Sequence, residues 1–125
     1  TFIASVHKHL PETLYRIKNN NLYNGGQADC WYSGGKGDLW VEYKFVVVPK
    51  IPDTNVAFGL SPLQQEWLQS RHAEGRIVGV IVGSTGGGVW FPGVEWKQTI
   101  TAGEFTKKII GRRELASIIK VATCC

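Results

Sequence analysis

Two acids, a lysine and a glutamine could do chemistry together in this chain: Asp29, Glu42, Lys44 and Gln64. Glu42 and Lys44 lie within the run Leu39-Trp40-Val41-Glu42-Tyr43-Lys44-Phe45-Val46-Val47-Val48. At the two-residue period of a strand, Leu39, Val41, Tyr43, Phe45 and Val47 share one face, and Trp40, Glu42, Lys44, Val46 and Val48 share the other. Both faces are apolar except for that acid and that base. Strands covered on both sides read this way, and a charge is costly there unless it is paired or binds a metal. One account is an ion pair on the wetter face of a half-exposed strand, which leaves Asp29 and Gln64 unexplained. The other is a metal-dependent phosphodiesterase site. Two carboxylates on adjacent strands suit a hard cation with oxygen ligands, such as Mg²⁺, which polarises phosphate and activates water. A lysine beside them can hold the attacking water or neutralise charge in the transition state.

These side chains need elements to bring them together. Ala28 to Ser33 reads as a strand with Asp29 at its start, and Gly34-Gly35-Lys36-Gly37-Asp38 as a hairpin turn into the strand Leu39 to Val48. A tight hairpin brings Asp29 near the level of Glu42. Ser61 is a helix cap followed by Pro62 at the first helical position, so Gln64 falls in the first turn, where anions are welcome. Leu63, Trp67, Leu68 and Arg71 mark one face of that helix. Ala4 to Leu10 reads as a short helix stopped by Pro11. Glu12 to Lys18 could continue as helix, but Thr13, Tyr15 and Ile17 alternate and favour a first strand, and Asn19 to Gly26 is turn chemistry. Pro49 to Gly59 is a loop. Arg76 to Val82 and Val89 to Phe91 form a second hairpin, and the intervening Gly83-Ser84-Thr85-Gly86-Gly87-Gly88 reads as a flexible turn. It lacks the Gly-Lys-Ser/Thr ending of a phosphate-binding loop. Thr101 and Glu104 make a capping box opening a helical region broken near Gly111. A last helix runs from Arg112 to Val121, with Leu115, Ile118 and Ile119 inward.

At these residues the chain resembles the PD-(D/E)XK nuclease superfamily, whose signature is an acid on one strand and acid-x-lysine on the next. Asp29 and Glu42-Tyr43-Lys44 fill it. The resemblance extends to the VRR-NUC and Holliday-junction-resolvase-like branch, often phage-encoded. Gly26-Gln27-Ala28-Asp29 matches its Gly-x-Pro-Asp turn with Ala in place of Pro, and Ser61-Pro62-Leu63-Gln64-Gln65-Glu66-Trp67 matches its Ser-Pro-x-Gln-x-x-Trp helix start. Gly75 matches the glycine closing that helix. The likeness spans about residues 5–91. It implies a restriction-endonuclease-like α/β domain, a small mixed central sheet flanked by helices. It also implies a DNA endonuclease using Mg²⁺, with Mn²⁺ able to substitute, on branched or structured DNA. Asp29, Glu42 and the Tyr43 backbone carbonyl would hold the cation, Lys44 would position water, and Gln64 would orient Lys44, water or phosphate. Many members carry a further acid on the first helix. Here Glu12 is the only acid nearby, so Glu12 and His9 are candidates around the site, and His7 could line it too. Read alone, His7 and His9 are surface residues of a short basic helix.

Length and composition set the remaining bounds. A chain of 125 residues, 43% hydrophobic and 19% charged, is one ordinary globular domain, residues 1–125, with a core at about 5–91 and a basic helical region at about 97–125. No apolar run is long enough to span a bilayer. Phe2 to Val6 is too brief for a signal peptide. The start at Thr1, with no methionine in the chain, suits removal of an initiator methionine. Three cysteines argue against a disulfide framework and for an intracellular protein, in the host cytoplasm if phage-encoded. Cys30 reads as a small buried hydrophobe, and Cys124 and Cys125 as a reduced, mobile tail. Residues 1–96 hold eight basic and eight acidic residues, so the whole excess of +4 lies beyond them. Lys97, Lys107, Lys108, Arg112 and Arg113 are therefore the candidates for DNA contact, with Lys120 beside them. A homodimer would suit a resolvase, although no segment announces an interface. Two alternatives stand beside the nuclease reading. One is a catalytically inactive nucleic-acid-binding module on the same scaffold. The other is a protein-interaction domain using Trp31, Trp40, Trp67, Trp90 and Trp96.

Overall fold

The computed structural model describes residues 1–19 and 25–124. Most of the turn expected over Asn19 to Gly26, and Cys125, lie outside the described residues. Five strands form one mixed sheet in the order β1-β2-β3-β4-β5, with β1 Tyr15–Lys18, β2 Cys30–Ser33, β3 Asp38–Phe45, β4 Val78–Ser84 and β5 Gly87–Pro92. Pairing is antiparallel except between β3 and β4. Those two run parallel because α2 Pro62–Ala73 supplies the crossover a parallel pair requires. β4 is buried along its whole length, as its run of apolar residues demands.

Helices cover both faces. α1 Phe2–His7 and α4 Arg112–Thr123 lie on one side, where Val6, Leu115, Ala116 and Ile119 pack against Tyr32, Leu39, Val41, Tyr43 and Ile81. α2 and α3 Ala102–Lys108 lie on the other, where Leu68, Ala102 and Phe105 pack against Val78, Val80 and Val82. Glu42 pairs with Val80 and Lys44 with Val82, so the acid and base belong to the α2–α3 side.

The α/β architecture is the expected one, with local differences. α1 begins at Phe2, capped by the Thr1 hydroxyl, and ends at His7, before Pro11 can stop it. β1 starts only at Tyr15, and β2 at Cys30, one residue past Asp29. β3 ends at Phe45, because Val47 beyond it is 88% exposed. Leu63 is exposed rather than inward, since the helix turns Gln64 toward the sheet instead. Gly83, Ser84, Gly87 and Gly88 are strand rather than flexible turn, leaving Thr85 and Gly86 at the tip. These glycines are needed for close packing: the Phe2 ring and Leu115 occupy the space where side chains at Gly83 and Gly88 would stand. Cys124 is no mobile tail, for it caps α4 and packs against the core.

Candidate active site

The β2–β3 register pairs Cys30 with Val41 and Trp31 with Trp40, so Asp29 falls one step further on, opposite Glu42 and on the same face. Toward β1 the Asp29 carbonyl accepts from the Asn19 backbone N–H at 2.6 Å. Toward β3 its Oδ2 accepts a hydrogen bond from the Tyr43 backbone N–H at 3.0 Å. The N–H and C=O of a strand residue face the same neighbour, so the Tyr43 carbonyl also faces the Asp29 side, past the last β2 pair.

Glu42 is 1% exposed, and its two oxygens have different surroundings. Oε2 accepts from Gln64 Nε2 at 3.1 Å and lies 3.8 Å from Lys44 Nζ. Oε1 is buried with no hydrogen-bond partner among the described residues. The Glu42 pKa rises to about 8. Burial is the main cause, followed by the charge and carboxyl of Asp29, while Lys44 and the Asp29 backbone oppose the rise. A buried carboxylate pushed against a second carboxylate, with one oxygen unsatisfied, asks for positive charge.

Gln64 is held from two sides. The Ser61 hydroxyl accepts from Gln64 N at 3.1 Å, and Gln64 Oε1 accepts from Ser61 N at 2.9 Å, completing a capping box. With its carbonyl oxygen engaged in the cap, only the amide nitrogen remains to face Glu42, which fixes the orientation of the side chain. The Ser-Pro-x-Gln spacing thus builds a helix start and aims a donor at the acid in one stroke. Gly26, at φ +83°, lies so close to Leu63 and Gln64 that a Cβ would strike the Leu63 carbonyl. The turn before Asp29 therefore rests directly on the first turn of α2.

The structure brings together Asp29, Glu42, Lys44, Gln64 and the Tyr43 backbone. The other candidates lie elsewhere. His7 is on the opposite face, where Nε2 lies 2.7 Å from the Tyr32 hydroxyl, itself 2.6 Å from the Tyr43 hydroxyl. Burial, then Arg16 and Lys18, lower its pKa to about 4, so it sits there neutral. His9 feels Arg113, Lys8 and Lys120, on the α4 side. Glu12 is exposed between α1 and β1, and makes no hydrogen bond or ion pair to the set among the described residues. Of the basic residues, Lys107 and Lys108 are exposed on α3, and Lys97 stands near its start, its ammonium 5.9 Å from the centre of the Trp96 ring. Arg112 is tied to α1, with Nε donating to Ser5 Oγ at 2.7 Å and the guanidinium 4.9 Å from the Phe2 ring centre. Arg113 is exposed on α4, across the sheet from Glu42.

Sequence reasoning missed the His7–Tyr32–Tyr43 chain, although Tyr32 and Tyr43 both fall on the α1 face by strand alternation. It also missed an aromatic row on the other face. Trp31 stacks on Trp40 at 5.6 Å, Trp40 meets Trp67 edge-on at 5.4 Å, and Tyr15 meets Trp31 edge-on at 5.5 Å. Cys30 is buried as expected, and burial pushes its thiol up to about 11.

The donor set fits a hard cation: two carboxylates, a backbone carbonyl facing them and an unsatisfied buried carboxylate oxygen. No group of three or more His, Cys, Asp or Glu side chains that could hold a metal occurs among the described residues. Two protein carboxylates would then leave further positions for water or phosphate, as Mg²⁺ prefers. No helix among the described residues is long and apolar enough to cross a membrane.

No protein-family model matches the chain, and no curated protein matches it by sequence. Among solved structures it is similar to Hjc, a Holliday junction resolvase from the archaeal hyperthermophile Archaeoglobus fulgidus. The TM-score is 0.58 at 15% sequence identity, over 94% of this chain and 94% of that one. The shared fold therefore reaches beyond residues 5–91 into the C-terminal helices.

Proposed function

We propose that this chain is a divalent-metal-dependent endonuclease of the PD-(D/E)XK type that hydrolyses DNA phosphodiester bonds. The observation that carries the reading is the Glu42 carboxylate. It is buried, set against Asp29, bonded through one oxygen to Gln64 and, among the described residues, unsatisfied at the other. A purely structural ion pair would bring Lys44 closer than 3.8 Å and leave no orphan oxygen. Asp29, Glu42 and the Tyr43 carbonyl would hold Mg²⁺, with Mn²⁺ as a substitute. When bound, that cation supplies positive charge for the scissile phosphate and acidity for water.

The remaining work falls to protein side chains. Lys44, with its side chain 22% exposed, can reach from Glu42 toward solvent. Its ammonium donates to the attacking water or to a phosphate oxygen as negative charge develops. Gln64 keeps Glu42 Oε2 in place, so the carboxylate cannot rotate toward Lys44 and close the site. Hydrolysis adds water across the P–O bond, with the leaving oxygen taking a proton. The fold shared with a Holliday junction resolvase supports branched DNA as the substrate class. The turn at Gly26 and the capped helix at Ser61 support the VRR-NUC-like branch.

The test is cleavage of linear duplex, single-stranded and four-way-junction DNA with Mg²⁺, Mn²⁺ or EDTA, comparing wild type with Glu42→Ala and Lys44→Ala. Metal-dependent cutting, reduced at least about a hundredfold in both variants, is expected. Binding without cutting of any substrate would sink the reading and leave a nucleic-acid-binding module.

A further inference from the structure

Beside the acidic pair, on the same face of the sheet, lies the aromatic row Tyr15–Trp31–Trp40–Trp67. Trp40 stands two residues before Glu42 on β3, and Trp67 stands three residues after Gln64 on α2. The two tryptophans thus repeat, one step down, the contact that Glu42 makes with Gln64. Trp40 and Trp67 pack against the core on this side of the sheet, but packing does not account for the outer half of the row. Tyr15 is 56% exposed on an edge strand, its same-face neighbour Ile17 is 44% exposed, and neither Trp31 nor Trp40 is fully buried. Aromatic surface left open on an edge strand is a liability unless something uses it.

The row continues into a cleft of about 700 Å³ whose lining includes Trp40, Trp67, Arg71, Arg76, Gln27 and Asp38. Arg71 lies 6.0 Å from the Trp67 ring centre and pairs with Glu74 at 3.2 Å. Arg76 is exposed and in no ion pair among the described residues. Two buried donors here, Trp31 Nε1 and Arg71 Nε, have no partner among the described residues and are left for a water or a ligand oxygen. Partly exposed aromatic rings beside a cleft that carries an unpaired arginine make a combination that binds unpaired nucleotides, the rings stacking on bases and the cation meeting phosphate.

We infer that Tyr15, Trp31, Trp40 and Trp67 form a stacking subsite for unpaired bases flanking the scissile phosphate, with Arg76 contacting the phosphate backbone. The inference rests on the nuclease reading and narrows its substrate to DNA with unpaired nucleotides beside the cleaved bond. A paired base has both faces covered by its neighbours and offers no face to the row.

Equilibrium binding in EDTA, where no strand is cut, tests it. A short labelled duplex is compared with the same duplex carrying an unpaired thymidine tail, for wild type, Trp31→Leu and Trp31→Phe. The tail should tighten wild-type binding about tenfold, the size of one base–aromatic stack. Trp31→Leu should lose that gain while keeping duplex affinity, and Trp31→Phe should keep most of it. If Trp31→Leu does not fold, Tyr15→Ala on the exposed edge takes its place and should lose part of the gain. No gain from the tail, or a gain undiminished in Trp31→Leu or its replacement, overturns the subsite. Cutting without any tail preference removes the subsite alone. A tail gain without cutting of any DNA removes the nuclease reading alone.

Discussion

At the scale of single residues, Glu42 is where folding and function pull against each other. Its carboxyl prefers a proton in the folded state up to about pH 8, against an ordinary value of 4.5. Between those values the native protein holds a proton that the unfolded chain has released, so stability falls as pH rises through the window. The slope can reach about 1.4 kcal/mol per pH unit for one proton. His7 acts in the opposite sense at lower pH. Its pKa is depressed from 6.5 to about 4, so the stability it contributes is complete above 6.5 and is lost as pH falls toward 4. Glu42→Gln keeps the shape and removes only the first effect. Thermal unfolding in EDTA should therefore show the variant gaining on wild type from pH 4.5 to 8 and holding a constant lead above. Added Mg²⁺ should then raise the wild-type Tm at pH 8 and leave the variant unmoved. A constant difference across the range would mean that Glu42 is ionised in the fold without a cation.

At the scale of elements, the site depends on how a turn and a helix start are joined. Asp29 reaches Tyr43 N because the chain before it passes over the first turn of α2, and Gly26 makes that approach without a side chain. Gly26→Ala meets both the Leu63 carbonyl and a left-handed backbone at φ +83°. The expected cost is about 1–3 kcal/mol, read by denaturant unfolding. Activity should fall further than global stability, because the strain lies between Asp29 and Gln64. A stable, fully active Gly26→Ala would show that the turn does not set the site. The element boundaries themselves were legible where a local signal existed. Thr101 with Glu104 forms the capping box that its spacing announces, and Ser61 caps α2 as expected, with Gln64 completing a box the sequence reading did not name, since a cap is satisfied within four residues. Gly83 to Gly88 misled, because glycine reads as a turn until the ring and side chains that need its absent Cβ are known.

At the scale of the whole molecule, the basic excess beyond residue 96 divides between the two sides of the sheet. Lys97, Lys107 and Lys108 belong to the side that carries Glu42, whereas Arg113 and Lys120 stand on α4 behind it. DNA bound on the Glu42 side would lie on the side of the first group and not of the second. Replacing Lys107 and Lys108 together by Ala should weaken duplex binding and flatten its salt dependence by about one to two phosphate contacts. Arg113→Ala should leave both unchanged. An Arg113 effect as large as that of the double variant would place DNA on the α4 side and away from Glu42.

What the sequence determined by itself was local. Strand alternation set which side chains of β3 share a face, the caps set where α2 and α3 begin, and the charges of Asp29, Glu42 and Lys44 marked the strands as unusual. These follow from contacts within a few residues, where spacing and chemistry suffice. The tertiary structure decided the rest. The register of Cys30 with Val41 carries Asp29 to Glu42, the parallel pairing of β3 and β4 lays α2 across them, and the placement of α1 and α4 on the opposite side sends His7, His9 and Arg113 away from the acids. Register and choice of face depend on packing between segments far apart in the chain, and no local pattern contains them.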